Sequence, residues 1–347
     1  MIIMRKIVLI LVAVLYSSFS FCQVSKEDIK WWKKLSPDWK AALSGQLSNK
    51  EIPDTLKIKE ILDYNYLNII EKGLTDLEPV SHLKKIAFLD CRSNNIKDLT
   101  PVSHLDSLQS IDFSYNPIES LEPLSNLKRL RIIDMIKTNV KDLNPIRNLK
   151  GLERISMIYT PIEDLLPLKN FESLSILSFG NTNVSSLEPL RLLKNLSQLD
   201  CSETKITTLE PIKDLKLISL FCSYTYVSDL SPLKEMQSLI SISCDHCQIT
   251  DLSPLSDLVN LKWIFCNKND LTIIDFSKLI KLEKLDISDT KVKDISTLKY
   301  CVKLQELYMN KTDVRDLSVL ADLKRINALV MTNSRTNMRL EYNLYNK

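Results

Sequence analysis

The sequence predicts a curved α/β repeat solenoid, in which one short parallel strand per turn builds a concave sheet and tight turns build the convex side. Two observations lead to this fold class. Nine of the 13 prolines recur at intervals of 21 or 22 residues, from Pro79 to Pro254. In the same register, a bulky apolar or cysteine position repeats from Ile69 to Met331. A period that persists over so many copies indicates stacked supersecondary units rather than a globular domain.

The composition narrows the classes of function. Only four glycines and three histidines occur among the 347 residues. Phosphate-binding loops need clustered glycines because backbone amides must approach the ligand closely, so a P-loop or a dinucleotide-binding motif is excluded. The 46 basic and 43 acidic residues nearly balance, so no nucleic acid is expected as a partner. We attribute the shortage of glycine to a repeat whose turns are expected to need no left-handed backbone conformation.

The first segment, residues 1–22, has the composition of a secretory signal peptide. Arg5 and Lys6 precede the apolar run Ile7–Leu15, and a small polar stretch follows. The run is too short to span a bilayer, and no later stretch is longer, so no transmembrane segment is expected. The prediction is an exported protein, either secreted or at the cell surface. Lipid anchoring through Cys22 is the alternative.

Residues 23–60 are predicted to form a helical N-terminal cap. Ser25 and Asp28 have the spacing of a capping box, and Ser36 followed by Pro37 favours the start of a second helix. Pro53 is suited to begin a third. A cap is needed because a terminal repeat would otherwise expose apolar surface and an open strand edge.

Residues 61–331 read as about 13 repeats of 21–22 residues with the pattern LxxLxxLxΦxx(N/T)xIxxLxPL, where Φ is bulky apolar or cysteine. In Ile111, Asp112 and Phe113 apolar and polar residues alternate, which predicts two side chains inward and one outward. Stacking the turns about 4.8 Å apart joins the leucines into one core. The short Asn or Thr is predicted to turn inward and bond backbone groups that burial would leave unpaired.

This pattern resembles the 22-residue leucine-rich repeat of bacterial internalins, with its LxxLxLxxNxI core and DLxPL return. The resemblance covers residues 61–340 and implies a curved leucine-rich-repeat solenoid with a parallel concave sheet and 3-10 segments on the convex side. It also implies recognition of another protein, in adhesion or host interaction. Residues 332–347 depart from the repeat and are predicted to be a C-terminal cap or tail.

Catalytic chemistry finds little support in the sequence. Cys244 and Cys247 have CxxC spacing, but Cys244 falls on the repeated Φ position, where we expect a buried thiol. His82 and His104 occupy equivalent convex turns and are expected to be solvated. We therefore predict a protein that is not an enzyme and uses no metal or cofactor. An enzyme that employs Cys244 and His246 is the rival hypothesis.

The candidate binding residues are those that the repeat leaves free on the concave face. They fall into three groups. The acidic ladder is Asp90, Asp112 and Asp134, and the apolar pair is Ile132 and Ile158. The aromatic group is Phe221, Tyr224, Trp263, Phe265 and Tyr308. Carboxylates stacked about 5 Å apart repel each other, so a cationic partner or a bound cation would relieve them. The alternative is solvated carboxylates bonded to neighbouring Ser and Thr.

Exposed rings in a concave patch are typical anchors of a protein interface. The sequence therefore predicts a binding protein whose ligand is another protein and whose contacts centre on the aromatic group. The alternative ligand is a glycan, because rings stack on sugars and carboxylates bond hydroxyls. Cover of the rings by the C-terminal segment would argue against both. Each assignment depends on strand register, since a slip of one residue would turn every outward side chain inward.

Overall fold

The structure, a computed structural model, describes residues 24–272, 274–333 and 338–343; from residue 332 onward it describes the backbone only. The predicted signal peptide and Cys22 lie outside the described residues. Within the described part of the chain, none of the helices has the length and apolar character needed to cross a membrane.

Three helices precede the sheet: α1 (Lys26–Lys34), α2 (Pro37–Ser44) and α3 (Asp54–Leu62). The capping box is formed, because the Ser25 hydroxyl accepts from the Asp28 N–H and the Asp28 carboxylate accepts from the Ser25 N–H. The Ser36 hydroxyl accepts from the Trp39 N–H and so caps α2. These side chains satisfy N–H groups that have no partner inside a helix, which fixes where the helices begin.

One sheet of 14 strands, in chain order, accounts for the strands of the described residues. Neighbours from β1 to β13 pair in parallel, and β14 closes the series antiparallel to β13. The strands are β1 (Tyr66–Asn68), β2 (Phe88–Asp90), β3 (Ser110–Asp112), β4 (Ile132–Asp134), β5 (Arg154–Ser156), β6 (Ile176–Ser178), β7 (Gln198–Asp200), β8 (Ser219–Phe221), β9 (Ser241–Ser243), β10 (Trp263–Phe265), β11 (Lys284–Asp286), β12 (Glu306–Tyr308), β13 (Ala328–Asn333) and β14 (Met338–Asn343).

The period of the sequence sets the register of this sheet. Leu89 pairs with Ile111, and Ile111 pairs with Ile133, each 22 residues further on. These middle residues and the following Φ residues, such as Phe113, are buried, whereas the first and third residues of β1 to β12 lie on the opposite face, as Ser110 and Asp112 do in β3. The predicted inward and outward positions are confirmed, and with them the curved solenoid.

The convex side of the described chain carries 3-10 turns. Nine of them begin one residue before a repeated proline, and the last two contain no proline. The turns span Glu78–His82, Thr100–Val102, Glu122–Leu124, Asn144–Ile146, Leu166–Leu168, Glu188–Leu190, Glu210–Ile212, Ser231–Leu233, Ser253–Leu255, Ser296–Tyr300 and Ser318–Asp322. Proline fits the start of a turn because its missing N–H would have no partner there. The repeated Asp is structural: Asp98 accepts from the Thr100 N–H at 2.8 Å, and Asp142 does the same for Asn144.

The inward Asn/Thr ladder links each repeat to its neighbour, but its two residue types do so unequally. The Asn116 amide donates to the carbonyls of Cys91, Phe113 and Ser114 at 3.0, 3.1 and 3.2 Å, and its Oδ1 accepts from the Ile96 N–H at 2.9 Å. Threonine is shorter, and the hydroxyl of each ladder threonine donates to a carbonyl of its own repeat. Asparagine therefore ties two repeats together where threonine serves one.

Cys247 occupies one ladder position and performs part of the asparagine's role. Its thiol donates to the carbonyl of Cys222 at 3.2 Å, 25 residues earlier in the chain. Asn116 reaches the carbonyl of Cys91 across the same separation. The cysteine in the ladder is thus an inter-repeat donor, although a thiol is a weaker one than an amide.

Each repeat makes a left-handed corner, which contradicts the expectation drawn from the shortage of glycine. The corner lies directly before the ladder position, and its φ is 50–58° in non-glycine residues from Glu71 to Lys311. A hydrogen bond to the next repeat holds it, as when Tyr159 N–H donates to the Gly180 carbonyl at 3.0 Å. Stacking therefore stabilises a backbone conformation that costs an L-residue about 1–2 kcal/mol.

Substitution at Tyr159 tests this strain. We expect Tyr159→Gly to be about 1 kcal/mol more stable than Tyr159→Ala, because both lose the ring but only glycine is free of the Cβ clash at positive φ. Urea unfolding of the two variants measures the difference. Greater stability of the alanine variant would contradict a left-handed corner, since alanine is favoured wherever φ is negative.

Candidate functional site

The predicted aromatic group faces outward at the C-terminal half of the concave sheet. Phe221 and Trp263 are 40% and 39% exposed, and Phe265 and Tyr308 are half-buried at outward positions. We call these four residues the aromatic patch. The patch is presented by three-residue strands whose middle residues are fully buried, so its backbone is fixed by the core.

Strand register arranges the patch around a serine. Phe221 of β8 and Phe265 of β10 are both direct neighbours of Ser243 in β9. Outside the two rings, Asp200 lies beside Phe221, and Asp286 lies beside Phe265. The result is one row across five strands with the order carboxylate, ring, hydroxyl, ring, carboxylate. The sequence analysis selected the rings but missed Asp200, Ser243 and Asp286, which only the pairing of third strand residues brings together.

A hydrogen-bond network fixes the polar side chains next to this row. The Asp245 carboxylate accepts from the hydroxyls of Ser243 and Ser223 at 2.9 and 3.2 Å. On its other oxygen it accepts from the backbone N–H and the side-chain amide of Asn267 at 2.9 and 2.7 Å. The Asn267 amide also donates to Asp286 at 3.2 Å. A half-buried carboxylate with four donors is pre-oriented and places a fixed negative charge beside Ser243.

Tyr224 and His246 extend the aromatic surface along the left-handed corners. Their rings stack with centroids 3.9 Å apart and an interplanar angle of 17°. Burial and the nearby Lys268 lower the pKa of His246 below its ordinary value. The imidazole is therefore uncharged at neutral pH, and the stacked pair adds apolar area next to Phe221 without adding a positive charge.

The acidic ladder is compensated inside the chain, contrary to the expected need for a cationic partner. Arg92 lies 3.1 Å from Asp90 and 3.8 Å from Asp112, and Arg154 lies 3.2 Å from Asp134. Burial raises the pKa of Asp90, and the adjacent Asp112 raises it further. Burial likewise raises the pKa of Asp134, while Arg154 opposes the change. Arg154 stands at an outward strand position and Arg92 directly after a Φ residue, so the sequence did contain the signal.

The predicted apolar pair is outward-facing and half-buried. Ile132 begins β4 and pairs with Arg154, and Ile158 lies just after the Φ residue of the next repeat. The two side chains stand at different outward positions of neighbouring repeats. Ile132 shares β4 with Asp134 of the acidic ladder, and Ile158 lies one repeat closer to the aromatic patch.

The cysteines do not form a catalytic pair. Cys244 is fully buried, and burial raises its pKa well above the ordinary value. Cys247 is partly exposed, and hydrogen bonds from Cys222 and Thr225 lower its pKa to about 6 although burial opposes them. Cys244, which the rival enzyme hypothesis needs as its nucleophile, is therefore the unreactive thiol of the two.

Thiol labelling of the folded chain tests this assignment. At pH 7.5 we expect Cys247 to react much faster than Cys244, Cys222 or Cys266, because only a thiolate that solvent can reach is attacked readily. Its rate should fall as the pH drops through about 6. Peptide mapping locates the label, and Cys247→Ser is the control. Equally fast labelling of Cys244 would revive the rival hypothesis.

His82 is not the solvated side chain that its convex position suggested. Its Nε2 lies 2.7 Å from Asp28 Oδ1, and its ring stacks on Trp31 with centroids 4.8 Å apart. The histidine therefore joins α1 to the first convex turn. His104, one repeat further on, has no cap beside it and is exposed.

With this geometry in hand, comparison with known proteins is informative. A family model for leucine-rich repeats, in two copies, matches residues 106–148. The solved structure of an internalin (inlF) from Listeria monocytogenes is 25% identical with a TM-score of 0.78, over 86% of this chain and 91% of that one. The chain is therefore similar in fold to this internalin, and residues 106–148 match the leucine-rich-repeat model. A search of the curated proteins finds no match.

Two further solved structures share the fold of this internalin-like chain. A leucine-rich-repeat protein of Leptospira interrogans is 21% identical, with a TM-score of 0.69 over 79% of this chain and 80% of that one. The plant peptide hormone receptor RGFR1, solved in complex with RGF2, is 17% identical with a TM-score of 0.65. That match covers 78% of this chain and 47% of the receptor.

Proposed function

We propose that this protein is exported and binds another protein through the concave face, with the aromatic patch as its main anchor. The observation that supports this most directly is the exposure of Phe221 and Trp263 on a rigid face. Rings held by a fixed backbone lose little entropy on binding, so a large part of their contact area is available as affinity. Adhesion to a host surface is one setting in which such binding would operate.

Two further observations favour binding over chemistry. Among the described residues, no cluster of three or more His, Cys, Asp or Glu side chains has a geometry that could hold a metal. Cys247, the one described cysteine with a lowered pKa, contacts Cys222 and Thr225 rather than a catalytic partner. The binding proposal needs only the surface that the repeat presents.

Site-specific photo-cross-linking tests the proposal with a matched pair of tyrosines. A benzophenone amino acid replaces Tyr308 on the concave face in one variant and Tyr300, which is 47% exposed on the convex side, in the other. Incubation with extracellular material from candidate host cells, followed by irradiation, should give a discrete protein adduct from position 308 and none from position 300. Adducts that are equal at both positions, or found only at 300, would refute concave recognition.

A further inference from the structure

We propose that Phe221, Phe265 and the small residue between them form a cage for an arginine side chain of the partner. The inference rests on the proposed protein-binding function and specifies its chemistry. The row across β7 to β11 places a ring on each side of Ser243 and a carboxylate beyond each ring. Rings and carboxylates in alternation are the surroundings that a planar cation prefers.

The spacing of the rungs fits this occupant. Parallel strands lie about 4.8 Å apart, so the two phenylalanine positions, two rungs apart, are separated by roughly 10 Å. A cation over Ser243 would then lie about 5 Å from each ring, inside the range of about 6 Å over which a cation is attracted to an aromatic face. A larger residue at position 243 would fill this space. Serine leaves it open.

The charges around the row favour a cation over an anion. The outward positions of β1 to β12, together with the position after each Φ residue, carry seven carboxylates against three basic side chains, whereas the whole sequence is slightly basic. The carboxylates are Asp90, Asp112, Asp134, Asp200, Asp245, Asp286 and Glu306, and the basic groups are Arg92, Arg154 and Lys284. The acidic excess is therefore specific to this face.

Near the cage itself, none of the ion pairs of the described residues involves Asp200, Asp245 or Asp286, and an unpaired cation, Lys268, lies beside His246. Arg92 and Arg154 pair with the acidic ladder at the far end of the sheet. Lys284 lies 2.7 Å from Glu306 and is thereby paired. Asp245 lies beside Ser243, held in place by neutral donors that leave its charge intact. His246, uncharged at neutral pH, does not repel a cation here.

Arginine fits better than lysine for geometric reasons. A guanidinium group is planar and can stack on both rings while its edge donates to carboxylates, whereas an ammonium group is a strongly hydrated point charge. The structure thus assigns to the partner an exposed arginine that enters the concave face near its C-terminal end.

Nuclear magnetic resonance of the indole N–H of Trp263 measures binding without knowledge of the partner. This residue adjoins Phe265 in β10, and the signals of Trp31, Trp32 and Trp39 at the cap serve as internal references. The probes are N-acetyl-arginine methylamide, the lysine analogue and the neutral isostere N-acetyl-citrulline methylamide. We expect the arginine probe to shift the Trp263 signal with half-saturation in the millimolar range, and the citrulline probe to bind at least tenfold more weakly.

Variants of the full chain locate the cage. Phe221→Ala and Ser243→Leu should each weaken binding of the arginine probe at least tenfold, the first by removing a ring and the second by filling the space. Phe88→Ala removes a ring of similar exposure (41%) at the other end of the same face and should have no effect. Equal binding of citrulline, no shift of the Trp263 signal, or an equal loss in the Phe88 variant would each overturn the cage.

Failure of the cage and failure of the proposed function are distinguishable. If cross-linking from position 308 yields a protein partner but the arginine probe does not bind, the binding function stands and the cage is wrong. If the probe binds as expected but no protein is captured, the cage stands without the proposed partner class.

Discussion

Replacing Asn116 with alanine is expected to lower the free energy of unfolding by about 3 kcal/mol. The side chain is 2% exposed and makes four hydrogen bonds that join two repeats. Alanine would leave the Ile96 N–H without an acceptor and the carbonyl of Cys91 without this donor, in a region that water reaches poorly. The loss of buried partners, rather than the loss of bulk, determines the size of the effect.

Two other substitutions make this prediction specific. Asn116→Thr should cost about 2 kcal/mol, because its hydroxyl retains the bond within the repeat but leaves the Ile96 N–H as unpaired as alanine does. Asn95→Ala changes an exposed neighbour and should stay within about 0.5 kcal/mol. Urea unfolding gives the three values, and faster hydrogen exchange at the Ile96 amide would localise the first. A threonine variant as stable as the parent chain would show that the ladder does not couple repeats.

The sequence was sufficient for those features that recur with its period. Each 22-residue copy repeats the same environment, so the burial of Phe113 could be argued from that of a dozen equivalent residues. Register follows from the same period, which is why the outward position of Phe221 and Trp263 could be predicted. Because the turns are equivalent, the position of each proline within its turn could be predicted as well. The repeat thus converts a long-range pairing problem into a local one.

Features that occur once, or that depend on the backbone alone, could not be predicted from the sequence. The Asp28–His82 contact joins residues 54 apart across the junction of cap and repeat, where no period applies. The left-handed corner carries no residue-type signal, since Tyr, Lys, Asn, Glu, His and Asp all occupy it. The row around Ser243 is a different case: its five residues occupy one outward position of the repeat, but only the rings carried a binding signal of their own.

The double variant Trp263→Ala with Phe265→Ala is expected to weaken partner binding by at least 100-fold, which corresponds to about 3 kcal/mol. Both residues belong to β10 and flank the buried Ile264, so they form one contiguous anchor on a fixed strand. Central aromatic anchors commonly contribute 2 kcal/mol or more each, although such contributions are not additive. The affinity is to be measured with the protein identified by cross-linking from position 308.

A matched double variant controls for the loss of exposed rings in general. Tyr66→Ala with Phe88→Ala removes two aromatic side chains, 47% and 41% exposed, from neighbouring strands at the other end of the sheet. We expect its affinity for the partner to stay within about twofold of the parent chain. Both doubles should unfold at similar urea concentrations, because partly exposed rings contribute modestly to the core. If the N-terminal pair weakens binding as much as the β10 pair, recognition is spread along the whole concave face, because a ligand that contacts only the aromatic patch cannot sense side chains eight or nine rungs from β10.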